Sequence, residues 1–280
     1  MSLTLASIHI HPVKSLGGFE VKEARLTDRG LEHDRRWMLV DEVGRFISQR
    51  EVPAMACLHC APQQGGFRVT DVRDGAQLEL PWMLDGTERM RATVWDDPVA
   101  VIRASSGIST WLSERLHTAL ELVYMPDDSA RPTDERFAKA FISLSDGFPY
   151  LILSQASLND LNSRLPLDEM VPMDRFRPNL VIAGGTAFQE DRWQRIEVGG
   201  VAFDLVKPCA RCVIPNTDQR TSARAKEPLR TLSNFRKRIT DDGAVRVEFG
   251  MNAVAKAGST IRTGDPVHIV SDLSRTTFRV

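Results

Sequence analysis

The sequence predicts a β-rich α+β fold in two domains, with few helices in either. Short segments in which polar and apolar residues alternate, separated by glycine or charged turns, dominate the first 125 residues. Residues 126–140 are polar, charged and interrupted by proline, so we place a domain boundary at 126. Residues 126–280 again have the pattern of strands. With 280 residues and 42% hydrophobic content, the chain is long enough for two ordinary cores.

Alternation in the first domain, residues 1–125, predicts a small β-barrel or sandwich. The predicted strands lie in LTLASIHIHPV, GFEVKEARLT, RRWMLVDEVGRFISQ, GFRVTDV and PVAVIRA. The segment STWLSERLHTALELVYM is different, because its apolar residues recur at helical intervals. They are Leu112, Leu116, Leu120 and Val123. We therefore expect one helix here, packed on the strands.

The second domain, residues 126–280, has two segments with helical patterns. LSQASLNDLNSRL begins with a serine, the kind of residue that caps a helix, and continues with apolar residues at helical spacing. PLRTLSNFRKR, residues 228–238, suits a short helix with Pro228 in its first turn. RPNLVIAG and VGGVAFDLVK have the composition of strands, and TIRTGDPVHIV predicts a closing hairpin or strand.

The charge balance excludes a global field that would attract nucleic acid or a membrane surface. Lys and Arg total 36 against 37 Asp and Glu, so any anionic ligand needs a local basic cluster. The first fifteen residues lack the basic start, apolar run and cleavage site of a signal peptide. No apolar stretch approaches the ~20 residues of a spanning helix. We expect a soluble cytoplasmic protein with neither nucleic acid nor membrane as a partner.

The segment Val206-Lys207-Pro208-Cys209-Ala210-Arg211-Cys212 carries the most specific local chemistry. A strand runs into a proline and a C-x-x-C turn, which presents two thiols to a cavity. Lys207 and Arg211 place positive charge beside the sulfurs and favour thiolate, the form that binds metals or attacks electrophiles. We expect one of these cysteines to be chemically active, although two ordinary half-buried cysteines are the alternative.

A second pair, Cys57 and Cys60, raises the possibility of a four-cysteine zinc or iron–sulfur site. If AMACLHCA is a strand, residues three apart face opposite sides, so this pair cannot face one metal without a turn. We therefore treat Cys57 and Cys60 as packing residues. A thioredoxin-like role for the other pair is disfavoured, because VIPNTDQRT after Cys212 has the composition of a loop rather than a helix.

Basic residues cluster in three further segments. Lys14 and Ser15 precede Leu16-Gly17-Gly18, where the backbone can turn closely around a phosphate. Arg35 and Arg36 adjoin the apolar WMLV, so one of them points inward if the segment is a strand, and a buried arginine needs an anion. Arg175 and Arg177 share a face if their segment is extended, and then form a clamp for phosphate or carboxylate.

Taken together, these segments resemble the MOSC family, named after the C-terminal domain of molybdenum cofactor sulfurase, with its usual N-terminal β-barrel domain. The matching motifs are HPVKSLGG, RGLEHDRRWMLVDE with FISQRE, FPYLILSQASLNDLNSRL, RFRPNLVIAGG with FQEDRW, and KPCARCVIPNTDQ through KEPLRTL. The sequence is similar in particular to mitochondrial amidoxime-reducing components and to bacterial reductases of N-hydroxylated bases. The resemblance implies a MOSC domain built on a β-barrel with a few helices.

The resemblance also implies a molybdopterin cofactor whose dithiolene holds molybdenum, with Cys212 as the protein ligand. Cys209 matches the first cysteine of the motif, and its role is left open. Seven positions match residues that bind the pterin, its phosphate or the surrounding cavity: Lys14, Ser15, Arg35, Ser154, Arg177, Asn179 and Thr217. Asp218, beside the cysteine loop, is a candidate proton donor in catalysis. Pyridoxal phosphate binding is a further association of the family.

The implied reaction is two-electron reduction of an N–O bond in a hydroxylamine, amidoxime or N-hydroxylated base, which releases amine and water. Some bacterial relatives have a C-terminal ferredoxin-type domain, whereas this chain ends at Val280 and has no cysteine after Cys212. We therefore expect a separate electron donor, either an iron–sulfur protein, a flavin protein or a cytochrome b5-type protein. The alternatives are a persulfide sulfur carrier or transferase, a non-catalytic molybdenum-cofactor carrier, and a zinc-stabilised binding protein.

Overall fold

Residues 2–240 and 243–273 are described by the computed structural model, so the last seven residues of the predicted second domain lie outside it. The strands within these ranges are β1 (Leu3–Ile10), β2 (Phe19–Val21), β3 (Glu23–Thr27), β4 (Gly30–Leu31), β5 (Trp37–Val40), β6 (Leu58–Gln63), β7 (Gly66–Asp71), β8 (Gln77–Pro81), β9 (Arg89–Val94), β10 (Asp97–Arg103), β11 (Glu121–Tyr124), β12 (Tyr150–Ser154), β13 (Leu180–Ala183), β14 (Trp193–Val198), β15 (Val201–Ala210), β16 (Lys237–Ile239), β17 (Val245–Ala255), β18 (Thr260–Arg262) and β19 (Pro266–Asp272). The helices are α1 (Ser106–Leu116), α2 (Gln155–Ser163) and α3 (Leu229–Phe235).

Seven strands form a closed barrel in the order β12-β13-β1-β19-β14-β15-β17, and pairing of β12 with β17 closes it. Only β12 and β13 run parallel to each other, and the other neighbours are antiparallel. Closure removes the unpaired edges that an open sheet exposes. The interior is apolar, with Ile152, Ile182, Ile196 and Phe203 fully buried. The predicted β-rich α+β fold with a barrel and few helices is confirmed.

The barrel takes strands from both sides of the predicted boundary near residue 126. Leu5 of β1 pairs with Ile182 of β13, and Leu3 pairs with Val267 of β19. Strand β1 therefore belongs to the barrel, the strands after β2 build the smaller sheets, and the chain rejoins the barrel at β12. The division at 126 stays a prediction.

The smaller sheets have the orders β5-β11-β10-β9, β6-β7-β8 and β18-β3-β4. Helix α1 packs on the first two through Leu112 and Leu116. The predicted helix continues to Val123, and this extension is wrong: the helix ends at Leu116 and His117 adopts φ +50°. Leu122 then faces one apolar cluster and Val123 another, which is the two-sided burial of a strand.

Three predictions for the second half can be compared directly with the structure. Helix α2 begins after Ser154, whose hydroxyl accepts the backbone N–H groups of Ala156 and Ser157, so the serine cap is confirmed. Helix α3 directly follows Pro228. The closing segment forms strands, as one of the two predicted alternatives had it, but not a hairpin, because β18 pairs with β3 while β19 pairs with β1 and β14. In the described ranges, no helix has the length and apolar character to cross a bilayer.

Candidate functional site

A cavity lies where the loop after β1, the turn before β13 and the end of β15 meet. The backbone N–H of His9 donates to the Asn179 carbonyl at 2.8 Å, which holds the first two of these segments together. Residues far apart in sequence thereby share one wall. Those lining the cavity include Lys14, Ser15, Arg35, Arg50, Ser145, Asp146, Gly147, Phe148, Phe176, Arg177, Asn179, Cys209, Arg211 and Cys212.

The loop after β1 turns sharply before it reaches the smaller sheets. A Cβ on Gly18 would lie 2.3 Å from Nδ1 of His11 and 2.4 Å from the Ile10 carbonyl, so the close approach needs glycine. Ser15 adopts φ +68°, and its carbonyl accepts a hydrogen bond from Nε2 of Gln49 at 2.7 Å. The loop is therefore fixed in the shape that presents Lys14 to the cavity.

Lys14 is buried, and its ammonium group has internal partners. Nζ donates to the Leu144 carbonyl at 2.9 Å and to the Asp146 carboxylate, and lies 5.1 Å from the centre of the Phe46 ring. Burial lowers the pKa of Lys14, while the charge of Asp146 opposes this effect. The pKa of Asp146 is held well below its usual range, because the charges of Lys14 and Arg50 outweigh its own desolvation. Lys14 and Asp146 therefore form an ion pair at the cavity.

Arg35 lies on the cavity wall in a turn, with φ +48°, and not in a strand as one prediction assumed. Its Nη1 donates to Asp34 at 2.6 Å and to the Asn179 side-chain oxygen at 3.0 Å, and Nη2 donates to the Arg177 carbonyl at 3.1 Å. The strand interpretation assumed that successive side chains point to opposite faces, and the left-handed conformation of Arg35 breaks that alternation. Asn179 is therefore a structural link between Arg35 and the barrel.

Arg177 is a buried cation whose charge is only partly compensated. It has φ +55°, ends the short 3₁₀ turn Met173–Phe176 and is 9% exposed. Its Nη2 atom is buried and has no hydrogen-bond partner among the described residues. Burial, with the nearby charge of Arg35, lowers the pKa of Arg177 to about 10. A buried, unsatisfied guanidinium costs free energy, so this site favours an anionic ligand.

The predicted clamp of Arg175 and Arg177 does not form. The turn at 173–177 sends the two side chains apart, and Arg175 pairs with Asp218 at 2.7 Å instead. Arg177 faces the cavity that Arg35 also lines. The guanidinium groups that meet at the site therefore come from two distant segments, and not from one extended stretch.

The C-x-x-C segment brings two free thiols to the cavity at the end of β15. Cys209 and Cys212 are both half-buried. Arg211 joins the segment to its surroundings: Nη1 lies 3.0 Å from the Cys209 sulfur, and Nη2 donates to the Phe176 carbonyl at 2.8 Å. Burial raises the pKa of the Cys209 thiol, although the charge of Arg211 opposes that shift. The cavity therefore combines thiol chemistry with buried positive charge.

Three predicted site residues do not line this cavity: Ser154, Thr217 and Asp218. The Ser154 hydroxyl caps α2, and the Thr217 hydroxyl accepts from Nε of Arg224 at 3.3 Å in the interior. Burial raises the pKa of Asp218, but hydrogen bonds from the amides of Arg220 and Thr221 and the charge of Arg175 leave it lowered. Asp218 is therefore a carboxylate at neutral pH, which makes it a poor proton donor.

Asp146 lines the cavity but was missed as a site residue, because it belongs to no recognisable basic or cysteine motif, and Arg211 was predicted only as a positive charge beside the thiols. Arg131, assigned to a surface connection, is 2% exposed and supports the loop that contains Asp146. Its guanidinium pairs with Asp97 at 2.8 Å and donates to the Ser145 and Asp146 carbonyls at 2.5 and 3.1 Å. Arg131 could have been found from the sequence only as an arginine within the polar segment 126–140.

Cys57 and Cys60 are buried, away from the cavity. Cys57 ends a 3₁₀ turn at Pro53–Cys57, whereas Cys60 lies on β6 and packs with Leu58 and Phe67. Burial raises the pKa of Cys60 to about 12, so its thiol stays protonated. Across residues 2–240 and 243–273, no group of three or more His, Cys, Asp and Glu side chains could hold a metal ion. The four-cysteine site therefore has no structural support.

The segment around Ser154 predicts a pH-dependent stability. Glu190 is 1% exposed and accepts hydrogen bonds from the Ser157 hydroxyl at 2.6 Å and the Ser154 amide at 3.2 Å. Burial raises its pKa from 4.5 to about 7. A raised folded-state pKa gives stability that is complete below pH 4.5 and is lost as pH rises through about 7, a change of about 3 kcal/mol.

We expect Glu190→Gln to remove this loss, because the amide does not ionise. Urea denaturation at pH 5 and pH 8 measures the effect: relative to wild type, the variant should gain about 2.5 kcal/mol more at pH 8 than at pH 5, because part of the wild-type loss has already occurred at pH 5. An equal difference in unfolding free energy at both pH values would contradict the assignment.

The closed barrel and its cavity of buried cations and free thiols define a class of β-barrel proteins suited to an anionic ligand that also engages sulfur. Comparison with known families makes the assignment specific. The MOSC N-terminal β-barrel domain matches residues 2–119 and the MOSC domain matches residues 140–268. The chain belongs to the MOSC family, as the resemblance in the sequence predicted.

Curated relatives agree with this assignment. Mitochondrial amidoxime-reducing component 1 of Mus musculus is 31% identical over 285 residues, which cover 95% of this chain and 82% of the relative. The Homo sapiens protein of the same name is 30% identical over 282 residues, covering 95% and 83%. Molybdenum cofactor sulfurase of Drosophila yakuba is 30% identical over 240 residues, which cover 83% of this chain but 30% of that protein.

Proposed function

We propose that the protein is a molybdenum-cofactor-dependent reductase of N-hydroxylated compounds. The observation that carries the proposal is Arg177, which lines a cavity shared with two free thiols and whose buried Nη2 has no partner among the described residues. An anion is needed at the guanidinium, and a soft metal suits the thiol. A phosphate-bearing pterin that carries molybdenum satisfies both requirements.

The residues present fit this cofactor. Arg177, Arg35 and Lys14 would supply positive charge for the phosphate, and Ser15 lines the same cavity. Cys212 would be the protein ligand to molybdenum, and the cofactor would supply the two-electron redox chemistry. Asn179 acts on the site through Arg35, whose guanidinium it orients. Pyridoxal phosphate would compete for the same cations. Among the described residues that line the cavity, the only lysine is Lys14, whose amine is paired with Asp146 and so is not free to form an imine.

Cleavage of the N–O bond consumes two electrons and two protons and releases an amine and water. The candidate proton donors among the side chains near the cavity are Cys209 and Asp218. Cys209 holds its proton at Sγ near neutral pH because its pKa is raised, and it lines the cavity. Asp218 is ionised and lies outside the cavity wall. We therefore assign proton delivery to Cys209 or solvent at the cavity mouth in preference to Asp218.

A separate protein would deliver the electrons, and an iron–sulfur, flavin or cytochrome b5-type protein is suited to that role. We also propose a cytoplasmic location, which the free cysteines favour because a reducing compartment keeps thiols unpaired. Purified protein supplied only with NADH should reduce no substrate.

The decisive experiment is metal and pterin analysis of protein made in a host that synthesises molybdopterin, with a host unable to synthesise it as control. We expect molybdenum and pterin near one per chain, and amidoxime reduction with a reduced viologen dye as electron source. Zinc in place of molybdenum, with no pterin fluorescence, would refute the proposal. Cofactor without dye-linked reduction would identify a carrier.

The similarity to molybdenum cofactor sulfurase favours one alternative, sulfur transfer through a persulfide on Cys212. That relative extends far beyond the matched region, since the match covers 30% of its length. Mass spectrometry of the protein after treatment with a sulfur donor distinguishes the two functions. A stable added sulfur on Cys212, with no reductase activity, would support the transferase.

A further inference from the structure

The rim of the cavity has two phenylalanines for which the proposed chemistry gives no role. Phe148 lines the cavity and is 9% exposed, whereas Phe137 is 40% exposed. Their ring centres lie 6.2 Å apart with an interplanar angle of 83°, the edge-to-face geometry that aromatic pairs favour. An apolar surface therefore continues from the cavity wall to the solvent.

Lys207 holds the outer ring on the thiol side of the cavity. Its ammonium group lies 4.3 Å from the centre of the Phe137 ring, within the range of a cation–π contact. Lys207 belongs to β15 and precedes Cys209 by two residues on the same strand. Two cavity-forming segments, one with Phe148 and one with the thiols, therefore contact the same exposed ring.

The loop that presents Phe137 is anchored at its base. Pro132 forms a bridge with Phe141, and the Thr133 hydroxyl donates to the Ala138 carbonyl at 2.6 Å. Buried Arg131 fixes the start of the loop through its ion pair with Asp97. A single exposed phenylalanine is ordinary on a protein surface. Phe137 differs because an anchored loop holds it beside the cavity, where it can contact a ligand that enters.

We infer that Phe137 and Phe148 form an aromatic wall that binds the apolar body of the substrate while its N-hydroxylated group reaches Cys212. This inference rests on the proposed reductase function and assigns the selection between aromatic and aliphatic substrates to these two rings. A phenyl ring would cover the exposed part of Phe137 and gain both burial and ring contact. A methyl group in its place is too small to do so.

Benzamidoxime and acetamidoxime test this wall, because they share the reacting group and differ only in phenyl against methyl. In the molybdenum-loaded enzyme, Phe137→Ala should raise the KM for benzamidoxime about five- to tenfold, the size of an aromatic contact, and leave kcat unchanged. The KM for acetamidoxime should not change. Phe137→Trp should restore the benzamidoxime KM.

Phe141→Ala is the matched control. Phe141 lies on the same loop and is 45% exposed, but among the described residues it makes no ring contact with Phe148. It should leave both KM values as in wild type. The aromatic wall would be refuted if Phe137→Ala changed the KM values of the two amidoximes equally or not at all. It would also be refuted if Phe141→Ala changed the KM for benzamidoxime as much as Phe137→Ala does.

Calorimetric binding of benzamidine and acetamidine to the loaded protein separates the wall from the reductase function, since it needs no turnover. Wild type should bind benzamidine more tightly, and Phe137→Ala should remove most of that preference. If neither amidoxime is reduced but this preference is found, the reductase proposal fails and the wall stands. Equal affinity for the two amidines in wild type would refute the wall itself.

Discussion

Replacing Arg177 with methionine should stabilise the fold of the cofactor-free protein while weakening cofactor binding. The guanidinium is 9% exposed, and its Nη2 atom lacks a partner within residues 2–240 and 243–273. Methionine keeps the apolar stem and removes the uncompensated charge, so unfolding should cost about 1 to 3 kcal/mol more. Loss of a charge-assisted contact to phosphate should lower cofactor affinity about 10- to 100-fold.

Two measurements on one variant check this pair of effects: urea denaturation of the cofactor-free protein, and pterin retention after gel filtration of the loaded protein. Arg36→Met is the matched control, because its guanidinium is similarly buried but bonded to the Met125 carbonyl and Asp127. The control should lose stability and keep the cofactor. If Arg177→Met were less stable than wild type, the guanidinium would have an internal role and not one in anion binding.

Replacing Cys212 with alanine should have the largest effect on function. If the thiol binds molybdenum directly, its removal should cost more than the ~100-fold that loss of an outer partner of a metal ligand typically costs. We expect amidoxime reduction with a viologen dye to fall below detection, and molybdenum content to fall with it. Because Cys212 is only half-buried, the fold should persist and circular dichroism should be unchanged.

Cys209→Ala provides the comparison within the same segment. It removes a thiol of similar exposure that also lines the cavity. We expect it to retain molybdenum and pterin and to lose activity only partly, with a changed pH profile if its proton is used. Loss of metal in Cys209→Ala together with full metal in Cys212→Ala would reverse the ligand assignment.

Sequence motifs identified several of the residues that line the cavity. Lys14, Arg35, Arg177 and Cys212 are far apart in the chain, yet all line it. They could be predicted because their neighbours form motifs of a known family in the right order. Asp146 has no such neighbours, and its place next to Lys14 depends on a tertiary contact.

The periodicity of apolar residues could not predict the local backbone conformation of the site. Arg35 and Arg177 both have positive φ, although neither is glycine and no turn motif marks them. An extended interpretation therefore paired Arg177 with the wrong arginine. The segment ELVYM shows the same limit, because a short apolar run buried on both faces fits helix and strand equally well until its neighbours are known.

Strand β1 has a consequence for when the site can form in the cell. It is synthesised first, but β13 and β19, its partners in the barrel, are synthesised much later. Pairing of segments this distant in sequence is slow, since the intervening chain must be ordered first. Until then the loop with Lys14 has no Arg177 beside it. Cofactor insertion must therefore follow the pairing of β1 with β13 and β19.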